Sequence, residues 1–177
     1  MAFPKGASLI RLSAEYPIKP FDCGDSDLND FLLNDSKSYL GKFLSVTYIL
    51  ESEHETIAFF SLLNDKISQT EVDSGNHWKK LFRKTTGKDF RSHPAVKVGR
   101  LGISNSFKGL GVGRSVMDFI KEMFVTNNRT GCRYITIDAY RESLPFYEKN
   151  DFRYLTQKDT ESSTRLMYFD LLVLMED

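Results

Sequence analysis

Three alternating glycines stand between two cations in Lys108-Gly109-Leu110-Gly111-Val112-Gly113-Arg114-Ser115. The run before them, Val98-Gly99-Arg100-Leu101-Gly102-Ile103, is apolar enough for a strand, and a short loop joins the two. Behind them Val112, Val116, Phe119, Ile120, Met123 and Phe124 recur at helical spacing. The stretch therefore reads as a strand, a glycine-spaced turn and the start of a helix. Such a turn aims several backbone N–H groups at one point, and the helix adds the positive end of its dipole. The chemistry this suits is anion binding, most often of a phosphate. The same residues can also build a glycine-rich turn with no ligand.

The rest of the chain must position this turn. Residues 7–13 read as a first strand, and the prolines in Tyr16-Pro17-Ile18-Lys19-Pro20-Phe21 keep the next segment extended. Ser26 is a candidate N-cap for a helix running to about Phe43, with Leu28, Phe31, Leu32, Tyr39 and Leu40 on its apolar face. Residues 45–50 and 56–63 form a hairpin whose near-continuous apolarity predicts cover on both faces. Residues 94–103 lead into the glycine turn. Downstream follow a strand at 134–139, a short helix from Glu142 to Lys149 with Pro145 in its first turn, and strands at 152–155 and 166–171.

The 177 residues suit one domain, spanning 1–177. Lys plus Arg number 24 and Asp plus Glu 24, so no global charge draws the chain to nucleic acid or membrane. Any polyanion must be met by a local patch. One candidate is the basic run Lys79, Lys80, Arg83, Lys84, Lys88 and Arg91, interleaved with Trp78, Leu81, Phe82 and Phe90. It reads either as a solvated helix face or as a lip for a polyanionic substrate. No apolar run reaches bilayer length, and the first six residues lack a signal core, so a cytoplasmic protein without membrane partners is expected. Cys23 and Cys132 fit no metal spacing and are expected as reduced thiols, Cys132 as a small core residue. The three histidines are scattered, and no metal site is expected.

Two nucleotide-loop patterns fail on the glycine stretch. A Walker loop needs a glycine where Lys108 stands and a lysine where Arg114 stands. A dinucleotide fingerprint needs Gly-x-Gly-x-x-Gly, whereas this chain has Gly-x-Gly-x-Gly from Gly109 to Gly113. The stretch Lys108-Gly109-Leu110-Gly111-Val112-Gly113 instead resembles the Arg/Gln-x-x-Gly-x-Gly/Ala motif of the GNAT acetyltransferase superfamily, with lysine at the first position. Arg100-Leu101-Gly102-Ile103 resembles the strand that precedes that motif. Ile137 to Phe152, ending in Phe146-Tyr147-Glu148-Lys149-Asn150-Asp151-Phe152, resembles the family's next strand, loop and helix. The resemblance covers residues 94–155 directly.

It implies an α/β (α+β) fold: a mixed, mostly antiparallel sheet flanked by helices, with two splayed central strands holding acetyl-CoA. Leu101, Gly102 and Ile103 would meet the pantetheine. Lys108, Gly109, Leu110, Gly111, Val112, Gly113, Arg114 and Ser115 would cradle the pyrophosphate. Backbone N–H groups near Leu101 to Ile103 would stabilise the oxyanion formed when an amine attacks the thioester directly. Tyr147 would be the general acid that protonates the departing thiolate, since a phenol of ordinary pKa about 10 keeps its proton at neutral pH. A core tyrosine, flanked by Phe146 and Phe152, is the other reading of that residue. Asp138 and Glu142 are nearby carboxylates without an assigned role. A non-catalytic acyl-CoA-binding regulatory domain is the alternative function.

The segment Phe21-Asp22-Cys23-Gly24-Asp25-Ser26-Asp27-Leu28-Asn29-Asp30-Phe31-Leu32 is similar to the opening of a bacterial GNAT subgroup that includes toxins acetylating aminoacyl-tRNA. This narrower resemblance implies an amine-bearing acceptor attached to tRNA, gripped by Lys79, Lys80, Arg83 and Lys84. It also implies an antitoxin protein as a candidate partner; a second copy of the chain is a separate candidate.

Overall fold

A computed structural model describes residues 3–82, 90–126, 128 and 130–175. Seven strands lie in the order β1-β2-β3-β4-β5-β7-β6. They are β1 (Ser8–Arg11), β2 (Val46–Glu51), β3 (Thr56–Ser68), β4 (Ser92–Ile103), β5 (Tyr134–Tyr140), β6 (Arg153–Tyr154) and β7 (Thr164–Asp170). The ladders β1–β2, β2–β3, β5–β7 and β6–β7 are antiparallel, and β4–β5 is parallel. This is the mixed, mostly antiparallel sheet expected from the sequence. The parallel ladder pairs only Ala95, Val96 and Lys97 with Tyr134, Ile135 and Thr136, although both strands run on beyond it.

The chain divides into two compact units, Met1–Leu63 with Val98–Glu122, and Asn64–Lys97 with Met123–Asp177. In the first, Phe59 and Phe60 are adjacent on β3 and so point to opposite faces. Phe59 meets Phe21 edge-on at 5.3 Å and stacks on Phe31 at 6.1 Å. Leu12, Leu32 and Ile49 complete that face. Phe60 meets Phe119 at 6.2 Å on helix α4 (Val112–Thr126), whose buried stripe includes Val112, Val116 and Ile120. Helical structure thus covers both faces, as the apolar hairpin predicts.

Phe31 stands in a helical run made of α1 (Ser26–Asp30), a π turn at Phe31–Asp35 and α2 (Ser36–Gly41). Two details differ from the sequence expectation. The N-cap is Asp25, whose carboxylate accepts from the Leu28 N–H at 3.0 Å, one residue before Ser26. The π turn inserts into what the spacing suggested was a regular helix, and it leaves both Phe31 and Leu32 buried.

A close approach explains Gly102. A Cβ there would lie 2.6 Å from Phe59 Cε1 and 3.1 Å from Phe21 Cζ. Those rings are fixed in a packed cluster, so Gly102→Ala should destabilise by about 1–3 kcal/mol through overpacking. A urea titration should show a lower midpoint with an unchanged slope; an unchanged midpoint would contradict this packing.

In the second unit, helix α3 (Gly75–Phe82) lays Trp78 and Phe82 against Ile67, Ala95, Tyr134 and Tyr168. Trp78 Nε1 donates to the Phe90 carbonyl at 3.1 Å. Strand β3 runs five residues past the Leu63 end expected from the sequence, from Asn64 to Ser68. Its polar positions are used: Asp65 accepts from Thr136 Oγ1 and lies 4.0 Å from Lys97 Nζ. Cys132 is half-buried rather than a fully buried core residue, and burial pushes its thiol up to about 11. Short helix α5 (Leu144–Glu148) follows a 3-10 turn at Arg141–Ser143, so the expected Glu142–Lys149 helix is tighter at its start.

Candidate functional site

In the first unit, Gly109 and Gly111 both adopt positive φ, 77° and 81°, in the left-handed region that glycine alone occupies freely. These two inversions bend the chain from β4 into α4. Among the described residues, the backbone N–H groups of Gly109, Gly111, Val112, Gly113 and Arg114 have no protein acceptor. The first intrahelical bond is Ser115 N to the Gly111 carbonyl at 3.1 Å. A Cβ placed on Gly109 or Gly111 would meet nothing within 4 Å, so the loop surface is open. Five free donors at the positive end of a helix of 15 residues suit a phosphate or pyrophosphate. The exposed guanidinium of Arg114 adds charge on the same turn, and exposed Leu110 caps its tip.

Lys108 plays a different part from its neighbours. Its ammonium donates to the Cys23 carbonyl at 2.6 Å, which ties the glycine turn to the segment before α1. Asp22 reinforces that tie. Its carboxylate accepts from Gly24 N–H and Asn29 Nδ2, each at 2.8 Å, and from Asn105 Nδ2 at 3.3 Å. Its carbonyl accepts from Asn105 N–H at 2.9 Å. Hydrogen bonds, chiefly that from Gly24, hold the Asp22 carboxyl below the usual carboxylate range. The Asp22-Cys23-Gly24 motif is thus a brace: it fixes the loop that follows β4. Of the cofactor strand expected from the sequence, Leu101 and Ile103 are half-buried, and at Gly102 the Phe59 and Phe21 rings fill the space a Cβ would need.

One residue without an assigned role in the sequence stands out on β4. The Arg100 guanidinium lies 3.9 Å from the centroid of Phe31 and 5.5 Å from that of Tyr39. It is half-buried and has no ion pair or hydrogen bond among the described residues. A charged residue inside the otherwise apolar run 98–103 was the available sequence signal; the two rings, far away in the chain, were not.

In the second unit, α5 carries Tyr147. Its ring is edge-on to Phe146 at 5.0 Å and to Phe152 at 5.7 Å, and only 6% of the residue is exposed. The turn after α5 closes back on it. Asn150 N–H and Phe152 N–H both donate to the Tyr147 carbonyl at 3.0 Å, and Asn150 Nδ2 donates to the Phe146 carbonyl at 2.8 Å. Asp151 takes a positive φ of 66° to make this closure. The spacing from Tyr147 to Phe152 is therefore a ring contact and a backbone bond in one motif. Burial raises the Tyr147 phenol above its ordinary value, and its hydroxyl has no hydrogen-bond partner among the described residues. It is a neutral, unengaged proton donor.

The remaining candidates are sorted by the same geometry. Asp138, a carboxylate without an assigned role in the sequence, forms an ion pair with Lys97 at 2.9 Å. Lys79 and Lys80 are exposed on the outer side of α3, while Trp78 and Phe82 are buried. Arg83 and Lys84 lie outside the described residues. Among the described residues no cluster of His, Cys, Asp or Glu could hold a metal ion, and no helix is long and apolar enough to cross a membrane.

Residues 87–167 match the family model for the acetyltransferase (GNAT) domain. The match spans a little under half of the chain and makes this region similar to GNAT acetyltransferase domains. Solved structures with the same fold include a bacterial toxin, at a TM-score of 0.77 and 15% identity, covering 96% of this chain and 95% of that one. A crystal structure of a tyrosine-to-phenylalanine mutant of KacT superposes with a TM-score of 0.79 at 19% identity, covering 97% of this chain and 99% of that one. AtaT complexed with acetyl-methionyl-tRNAfMet gives 0.74 at 18% identity, covering 96% and 98%. A tyrosine-to-phenylalanine mutant of AtaT bound to the C-terminus of the antitoxin AtaR and to acetyl-CoA gives 0.69 at 17% identity, covering 98% and 100%. No curated protein sequence matches the chain significantly.

Proposed function

We propose that this protein transfers the acetyl group of acetyl-CoA to the amino group of an aminoacyl-tRNA. The observation that carries the cofactor is the set of five unpartnered N–H groups from Gly109 to Arg114. Acetyl-CoA supplies an activated thioester and a pyrophosphate, and this loop fits the pyrophosphate. Leu101 to Ile103 lie on the part of β4 beyond the end of its ladder with β5 and offer backbone groups to the pantetheine.

The chain's own residues have separate tasks. The glycine loop binds and orients. Backbone N–H groups near Leu101 to Ile103 stabilise negative charge on the carbonyl oxygen as the amine attacks. Tyr147 holds a proton at Oη for the sulfur that leaves. Its raised pKa keeps that proton in place at neutral pH, and no neighbouring acceptor competes for it. The aminoacyl-tRNA acceptor is supported by the shared fold with AtaT, which is complexed with acetyl-methionyl-tRNAfMet, and by exposed Lys79 and Lys80. An antitoxin protein is a further partner in this reading, as AtaT is bound to the antitoxin AtaR; the reading also takes the protein to act in the cytoplasm as one functional domain over 1–177 and to self-associate as a homodimer.

The experiment is an acetyl-CoA consumption assay run across aminoacyl-tRNAs, peptides and small amines. Release of the CoA thiol with aminoacyl-tRNA, and little with the other acceptors, is expected. Turnover on peptides or small amines alone would replace the acceptor assignment.

A further inference from the structure

Half-buried arginines normally face a carboxylate or a ring of carbonyls, because an uncompensated charge out of water is costly. Arg100 faces neither. Its guanidinium lies over Phe31 at 3.9 Å with Tyr39 at 5.5 Å, and no described residue accepts a hydrogen bond from it. Stacking uses the face of the guanidinium and leaves its N–H edge unspent. The stacking also fixes the plane of the fork, so little freedom remains to be lost when an oxyanion arrives.

The direction of the side chain says which substrate this fork can serve. Arg100 and Gly102 are two apart on β4 and so share a face. A Cβ on Gly102 would meet Phe59 and Phe21, and Arg100 meets Phe31 and Tyr39. That face belongs to the α1–α2 run and not to α4, which packs by way of Phe60 and Phe119. The glycine loop opens into α4, so the Arg100 fork is a second anion receptor, separate from the pyrophosphate cradle. A fork on this face serves the other substrate.

We infer that Arg100, held flat on Phe31 and Tyr39, is an acceptor-binding residue that grips a phosphodiester in the single-stranded 3′ end of the RNA that carries the amine. This rests on the aminoacyl-tRNA reading above. A planar fork matches two phosphate oxygens at once, and the outer face of the stacked guanidinium is a platform for an unpaired base.

The test uses the full-length protein saturated with CoA, so that the glycine loop is filled. Binding of a fluorescent RNA oligonucleotide ending in CCA is titrated for the wild type, Arg100→Ala and Arg100→Lys, with thermal melts and CoA titrations alongside. Removing a charge-assisted fork should weaken RNA binding by about tenfold to a hundredfold. Arg100→Lys, with charge but no fork, should fall between. Equal affinity in all three proteins would overturn the inference, as would a wild type that binds no RNA. A loss confined to free amino acids, competed by their carboxylate, would overturn it in favour of a carboxylate site. RNA binding that depends on Arg100 without acetyl transfer to any aminoacyl-tRNA would uphold the fork and defeat the acceptor assignment instead.

Discussion

Tyr147→Phe should lower turnover by about 10²–10⁴-fold while leaving CoA affinity nearly unchanged, the range expected for losing a general acid. The substitution removes one hydroxyl and nothing else. The ring contacts to Phe146 and Phe152 remain, and so do the two backbone bonds that close on the Tyr147 carbonyl. The lost hydroxyl makes no hydrogen bond to a described residue, and the ring around it is buried. Stability should therefore be unchanged or slightly higher, because a polar group with no protein partner is removed from a largely apolar site. A lower melting temperature with full turnover would return Tyr147 to the role of a core aromatic.

The pH dependence adds a second reading of the same residue. Burial raises the phenol in the folded protein above the ordinary value near 10. A raised acid of this kind contributes stability below its unfolded pKa and loses it as pH rises toward the folded one. The same sign holds for catalysis: the donor stays protonated throughout the neutral and mildly alkaline range. Any fall in turnover below about pH 10 must then come from another group.

Gly111→Val has the next largest expected effect. At φ 81° a β-branched residue is strained, yet its Cβ would meet no protein atom within 4 Å. The objection to a side chain at this position is therefore conformational and directed outward, toward whatever the loop holds. Binding of CoA, followed by calorimetry, should weaken at least about tenfold as close backbone approach is lost. Gly111→Asn separates the two causes, because asparagine tolerates the left-handed region and still adds a side chain. Both variants should fold, and both should bind CoA poorly. A folded valine variant with undiminished CoA affinity would remove the glycine turn from the cofactor site.

Much of this arrangement was legible in the sequence because the signals are local. Glycines at alternate positions between a strand and a helix specify an inverted turn with free N–H groups, and Gly109 and Gly111 supply it. The Tyr147-to-Phe152 spacing specifies a short helix closed by its own carbonyl. What escaped the sequence was non-local or irregular. The π turn at Phe31–Asp35 leaves helical spacing nearly intact, so periodicity does not expose it. The end of β3 looked like a loop because Asn64, Asp65 and Lys66 are polar, whereas Asp65 is in fact engaged with Thr136 and lies near Lys97. Lys108 stands where a phosphate ligand is expected, and no local pattern shows that its ammonium also ties the turn to the Cys23 carbonyl, which lies 85 positions away in the chain. Arg100 shows the same limit: its aromatic bed comes from a helical run roughly 60 to 70 residues earlier, which no local pattern reports.

The most direct test of the account is mass spectrometry of the acceptor after incubation with wild-type protein and acetyl-CoA, with the CoA thiol measured in parallel. The account predicts an aminoacyl-tRNA whose amino group has gained one acetyl group for each CoA thiol released, with both signals lost in Tyr147→Phe. Acetyl-CoA that binds to the glycine loop but is never consumed, whatever acceptor is supplied, would contradict it and leave a binding domain in place of an enzyme.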